Sequence, residues 1–229
     1  MCVSITAASL CYGEIIPNSL CKILDSDHLD AANASILFDL GSGVGRLCIQ
    51  SFFQYSNLQR VVGLELSPNR SKQGMDAVMR LYDTPPQQYK FNIDKQYEVI
   101  DNANTLSRVT LESVANLHSI HGSNELKEDE SNSTRSLELR RGNLFIDAYD
   151  VVTADIVILQ TAFYPNKHKD LIKLLNQLKV GCKLLSYENL SSIYSTAQQQ
   201  IPFNPIAIDD TYTTSWCAAF HFHLYVKHI

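Results

Sequence analysis

Short apolar runs separated by stretches of helical spacing dominate the chain. Ser35–Leu40, Val61–Glu65, Leu137–Arg141, Ala154–Gln160 and Cys182–Ser186 are short and apolar enough to read as buried parallel strands. Between them, Leu47, Ile49, Phe52 and Phe53 mark a helix over 44–55. Met75, Val78, Met79 and Leu81 mark a second from Pro68 to Tyr82, opened by Ser67-Pro68 and closed before Thr84-Pro85-Pro86. A third spans Lys167 to Leu178, with Val180-Gly181 as its stop. Upstream, Ile15, Ile16, Leu20, Ile23 and Leu24 fall mostly on one helical face, so a helix opening at Pro17 or Asn18 leads into the fold.

Two stretches are less regular. Leu106, Val109, Leu111, Val114 and Leu117 suggest a helix, although the Thr and Val residues around them suit a strand as well. Residues 122–136 are polar, acidic and poor in apolar side chains, which predicts a flexible insert. The tail from Ile206 to Val226 lacks helical spacing and fits two closing antiparallel strands. Alternating strands and helices predict one doubly wound α/β domain over 1–229. Its sheet is expected to be mostly parallel, with an antiparallel C-terminal edge and a helical lead-in over 1–34.

Candidate chemistry gathers after the first strand, in Asp39-Leu40-Gly41-Ser42-Gly43-Val44-Gly45-Arg46. Glycines on alternate positions allow a sharp turn and let a ligand approach the main chain. The pattern is not a dinucleotide fingerprint, which needs G-x-G-x-x-G, because Arg46 holds the last position and the third glycine comes one place early. No Gly-Lys-Ser/Thr follows, which excludes a P-loop. Glu65 ends the second strand, where a carboxylate can accept hydrogen bonds from ribose hydroxyls.

Composition narrows the picture further. With 229 residues and 45% hydrophobic content the chain can bury one sizeable core. A net charge of −5 argues against a broad electrostatic grip on nucleic acid by this chain alone, leaving Arg140, Arg141, Lys167 and Lys169 as candidates for a local basic patch. No apolar run is long enough to cross a membrane as a helix. The six cysteines include no C-x-x-C pair, the pattern of reduced and mostly buried thiols, which predicts a nuclear or cytoplasmic protein. His221 and His223 share one strand face but lack a convincing third ligand, so no metal site is expected.

With Asp39 inside the glycine turn, the chain resembles class I S-adenosylmethionine (SAM) methyltransferases, with their Rossmann-like sheet. Tyr12-Gly13-Glu14 followed by Phe38-Asp39-Leu40-Gly41-Ser42-Gly43-Val44-Gly45 is similar to the leading motifs of the DOT (disruptor of telomeric silencing) family of non-SET histone-lysine methyltransferases. The resemblance extends loosely from about 10 to 226 and is specific only in the front half. It implies SAM as cofactor, held by Asp39, Gly41, Ser42 and Gly43 at the turn and by Glu65 at the ribose. It further implies Asn143 and Leu144 at the adenine, and Tyr12, Glu14 and Gln160 at the methionine end. Phe163 would wall a lysine channel, with Tyr164 and Tyr12 as further aromatic candidates for catalysis. Asn143 departs from the family's acid, Gln160 from its asparagine and Ile15 from a polar residue, and the family's basic nucleosome-binding extension is missing. Tyr164 and Phe220 read first as core aromatics, with a functional role as the alternative.

The implied partner is a protein substrate carrying a lysine, with a histone or nucleosome as first candidate; the oligomeric state is open. Alternatives are a methyltransferase for a small molecule or non-histone protein, and a non-catalytic SAM-binding module.

Overall fold

The computed structural model describes residues 13–87, 89–100, 103–116, 134–207 and 211–229. In chain order these form α1 (Pro17–Ile23), β1 (Ile36–Leu40), α2 (Arg46–Gln54), β2 (Arg60–Glu65), α3 (Pro68–Asp83), β3 (Tyr89–Ile100), β4 (Ala103–Asn116) and β5 (Arg135–Arg141). They continue with α4 (Leu144–Asp147), β6 (Ile156–Leu159), α5 (His168–Asn176), β7 (Lys183–Ser186), α6 (Leu190–Thr196), β8 (Phe203–Ile206) and β9 (His223–Lys227). The strands make one sheet in the order β3-β4-β5-β2-β1-β6-β7-β9-β8.

Successive strand side chains point to opposite faces, and this alternation divides the core. Leu37, Val61, Ile156 and Ile158 pack with Leu20 and Ile23 of α1, Leu47 and Phe52 of α2, and Met75 and Val78 of α3. Phe38, Val62, Val157 and Leu159 pack on the other face with Leu171 and Leu175 of α5 and Ile193 and Tyr194 of α6. Both faces of the central strands are covered, which is why those strands read as unbroken apolar runs.

The five strands β5, β2, β1, β6 and β7 pair in parallel, as expected, and β9 and β8 close one edge antiparallel. The other edge corrects the sequence reading. Residues expected to form a helix around Leu106–Leu111 lie instead in β4, paired antiparallel with β3 and β5. Burial along β4 alternates strictly through Ser107, Val109, Leu111 and Ser113, so the true period is two. The parallel core therefore has antiparallel strands on both flanks.

Residues 122–133 of the expected insert lie outside the described residues. Its last residues do not belong to an insert: Arg135 and Ser136 open β5, and Arg135 is buried, donating to the Leu58 and Tyr55 carbonyls. α6 had no counterpart in the sequence reading; Asn189 caps it, its Oδ1 accepting from Ser191 N at 2.9 Å.

The suggested basic patch is also corrected at Arg140, which is buried at 6% exposure and bound to Glu138 and Asp150. Burial works against the charged form of Asp150. Hydrogen bonds from Arg140 and Arg60 outweigh it and hold the pKa down to about 2. Of the described cysteines, Cys48 and Cys182 are buried, Cys21 and Cys217 partly so, and all are free.

Candidate functional site

β1 pairs with β2 on one side and β6 on the other, so the chain leaves it in both directions and a crevice opens beyond its carboxyl end. The glycine turn forms its floor. Gly41, Gly43 and Gly45 have φ of +93°, +58° and +76°, a region that residues with a Cβ rarely enter. Gly41 N and Ser42 N donate to the Leu64 carbonyl at 2.8 and 3.0 Å, Gly45 N to Ser42 O at 2.8 Å, and Gly43 N to Glu65 Oε2 at 2.9 Å. These four amides are thus committed to the fold instead of forming a phosphate cradle. Side-chain oxygens are left to meet a ligand.

Asp39 and Gln160 supply two of them. Asp39 is 1% exposed, and its Oδ1 has no hydrogen-bond partner among the described residues. Its Oδ2 receives only a weak contact from Cys48 Sγ at 3.8 Å. Burial above all, and then the nearby Glu65 charge, push the Asp39 carboxyl up to about 8. Directly across the β1–β2 ladder stands Gly63, where a Cβ would come within 2.9 Å of Leu139, Cys48 and Ser42. Gln160, one residue past β6, also has a buried oxygen, Oε1, without a partner among the described residues.

Glu65 is buried and already oriented. Its Oε1 accepts from Ser67 N at 2.7 Å and from Arg70 Nε and Nη2 at 3.2 and 3.0 Å; its Oε2, among the described residues, accepts from Gly43 N alone. Oε2 therefore keeps a lone pair for a further donor. Asn143 sits next to this carboxylate in the sheet, past β5, but its Oδ1 caps α4 by accepting from Phe145 N at 3.0 Å. One lone pair on that oxygen is left for a ligand. Leu144, half-buried, starts α4 beside it.

The N-terminal lead-in forms the roof. Glu14 N donates to Ser215 Oγ at 2.9 Å, Ser215 N returns a bond to Glu14 O at 2.8 Å, and Ile15 bridges Thr214. Glu14 Oε2 also accepts from Arg46 Nη1 at 2.8 Å, tying the roof to the first residue of α2. Glu14, Asp39, Gly41, Ser42, Gly43 and Gln160, six of the residues proposed from sequence, thus line a single crevice together with Gly13, Arg46 and Leu47. Glu65 reaches it through Gly43. Tyr12 lies outside the described residues.

The Trp216 indole lies directly on Gly13. A Cβ there would fall 1.8 Å from Trp216 Cε3, so Gly13→Ala must displace either the indole or the lead-in. We expect the substitution to open the roof and weaken ligand binding about ten-fold. Trp216 is the chain's one tryptophan, so a shift of its intrinsic fluorescence reports the opening directly. Unchanged emission and affinity would refute this role.

Past the crevice, Phe163 is half-buried with its ring 5.5 Å from that of Phe145, and its N–H donates to Glu188 Oε2 at 3.0 Å. Tyr164 is 48% exposed, which corrects its reading as core. Phe220 does pack as an aromatic, stacked on Tyr187 at 4.9 Å and edge-on to Phe222 at 4.8 Å. Glu188, His168 and Arg70 escaped the sequence reading. A lone Glu two residues past a strand end carries no motif, and its partner is a backbone amide from another loop. Among the described residues, no group of three or more His, Cys, Asp and Glu side chains is arranged to hold a metal ion.

Comparison with known proteins bears on the fold. The model of the family described as histone methylation protein DOT1 matches residues 6–102, the stretch carrying the roof, the glycine turn and Glu65. No curated relative matches the sequence. Among solved structures, a putative caffeoyl-CoA O-methyltransferase from Staphylococcus aureus superposes with a TM-score of 0.51 at 8% identity, over 93% of this chain and 84% of that one. A putative O-methyltransferase from Klebsiella pneumoniae gives 0.50 at 8% identity, over 94% and 82%. An RNA methyltransferase from Salinibacter ruber, solved with S-adenosyl-L-homocysteine, gives 0.45 at 17% identity, over 92% and 89%. The fold is the Rossmann-like α/β fold of class I methyltransferases.

Proposed function

We propose that this chain is a SAM-dependent methyltransferase whose acceptor is a protein lysine. The observation that carries the cofactor assignment is the pair of buried, unpartnered oxygens, Asp39 Oδ1 and Gln160 Oε1, at one switch-point crevice. Buried acceptors left without donors are costly, so they fit a ligand that brings its own N–H or O–H groups. An adenosyl amino acid with an ammonium and a ribose diol does so. Glu65 Oε2 would take a ribose hydroxyl, Asn143 and Leu144 would flank the base, and Glu14 and Gln160 would meet the amino-acid end. SAM bound there supplies a methyl group already activated on a positively charged sulfur.

The protein's own contribution is placement and exclusion of water. Well-oriented reactants can gain on the order of 7–11 kcal/mol over free encounter. Phe163, held through its backbone by Glu188 and packed on Phe145, gives one apolar wall to the acceptor. Such a wall disfavours an ammonium and so favours the neutral amine that can attack. The lysine assignment rests on this wall and on the family match over the front half of the chain.

A second reading, methylation of a non-histone protein or a small molecule, draws on the net charge of −5, which suits a nucleosome surface poorly. Calorimetry with SAM tests the cofactor, and no heat of binding by pure protein would refute it. Tritiated SAM with nucleosomes, a protein extract and a small-molecule extract tests the acceptor. Label on lysine of a protein band is expected; label confined to the small-molecule fraction would overturn the lysine reading.

A further inference from the structure

Glu188 lies two residues past β7, at the end of the sheet where Gln160 leaves β6, and the fold leaves part of its chemistry unused. β6 and β7 end in register, Leu159 opposite Ser186, so Gln160 and Glu188 emerge from neighbouring strand ends. The Phe163 N–H fixes Glu188 Oε2 at 3.0 Å, and Ser186 Oγ bonds the Glu188 backbone at both its N–H and C=O. The carboxylate is therefore aimed, while its Oε1 accepts nothing from the described residues. His168, the first residue of α5, has both ring nitrogens buried and, among the described residues, without a hydrogen-bond partner.

Burial chiefly raises the Glu188 pKa, opposed by the Phe163 N–H and by the charge of His168. The upward direction suits a general base, which must hold a proton more readily than an ordinary exposed carboxylate does. Ser186 and the Phe163 amide, the other polar groups bonded to Glu188, carry no charge.

We propose that Glu188 Oε1 is the group that binds the acceptor ammonium and takes its proton, making a primary amine the substrate class of this site. The inference rests on the methyltransferase reading above. In this step an N–H bond of the ammonium breaks and the proton passes to Glu188 Oε1, which becomes a neutral carboxyl. The nitrogen keeps the electron pair and forms the new bond to the methyl carbon, while the pair of the broken S–C bond stays on sulfur. The products are a thioether and a methylated ammonium, so charge and atoms balance.

Glu188→Gln separates this role from support of the loop. Its amide oxygen can still accept from the Phe163 N–H, so the loop keeps its anchor and only the charge is lost. With SAM, the variant is expected to show unchanged affinity and melting temperature, at least a thirty-fold lower kcat with a peptide lysine, and loss of the acidic limb of the pH–rate profile. Binding of n-butylammonium, followed by saturation-transfer NMR on protein loaded with S-adenosylhomocysteine, gives a readout free of turnover. Wild type should bind it at least ten-fold more tightly than the variant, and n-butanol should bind both alike. Equal binding of butylammonium to the two proteins would overturn the proposal whether or not the wild type methylates lysine. If the wild type failed to bind SAM, the methyltransferase reading itself would fall. Wild-type turnover on lysine with an unaltered rate and pH profile in Glu188→Gln would reject Glu188 alone.

Discussion

Replacing Glu65 with alanine is expected to weaken SAM binding about 100-fold and to lower stability by about 2 kcal/mol, the scale of lost hydrogen bonds to a charged group. Both effects come from one carboxylate. Oε2 loses its place for a ribose hydroxyl, and the amides of Gly43 and Ser67 and the Arg70 guanidinium lose their acceptor. The Gly43 amide belongs to the ligand-binding turn, so the turn itself should loosen. Glu65→Gln refines the test. It preserves shape but places an NH2 against either Gly43 N–H or Arg70, so it should recover some stability and little affinity. Calorimetry and urea melts measure the two quantities. An alanine variant that binds SAM as wild type does would remove Glu65 from the site.

The second large effect is the pH dependence set by Asp39. The folded protein holds a proton on this carboxyl up to about pH 8, whereas the unfolded chain releases it near the ordinary value of about 4. Between those limits the folded state binds the extra proton, so the contribution of Asp39 is full below about pH 4 and falls away as pH rises toward 8. Four units at 1.36 kcal/mol each set an upper bound on the order of 5 kcal/mol. The unliganded protein should therefore melt several degrees lower at pH 8 than at pH 5.5, and Asp39→Asn should flatten that slope. A ligand ammonium favours the ionised carboxylate, so SAM affinity should rise about ten-fold between pH 6 and 7. It should not do so in the asparagine variant. A wild-type melting profile independent of pH would show that Asp39 is ionised in the free protein.

What could be read in advance follows the strength of each local signal. The parallel strands were legible because both their faces are buried, leaving little but Ile, Leu, Val and Phe in each run. The glycine turn was legible because its positive φ angles narrow the choice of residue. The β3–β4 hairpin was not, and Ser107 and Ser113 explain why. Both are buried polar residues at inward positions, so the inward period of two is broken, while Leu106–Val109, Leu111–Val114 and Val114–Leu117, each three apart, imitate a helix. Arg135 and Arg140 misled in the same way. Arg135 donates to the Leu58 and Tyr55 carbonyls, 77 and 80 positions away, which no short window reveals. Arg140 pairs with Glu138 and Asp150, two and ten positions away, only because the fold brings all three together. In the site, Asp39 and Glu65 announced themselves at strand ends. Glu188 gains its position from Phe163, 25 residues away, and became visible only when β6 and β7 were aligned.

The hydrogen bonds between Glu14 and Ser215 span 201 positions of the chain. During synthesis the floor of the crevice can be completed well before its roof, because the roof needs a segment translated 201 residues after Glu14. A nascent chain would therefore hold its cofactor poorly until Ser215 has emerged, and the affinity gained at that moment would act as a late thermodynamic seal on the folded domain.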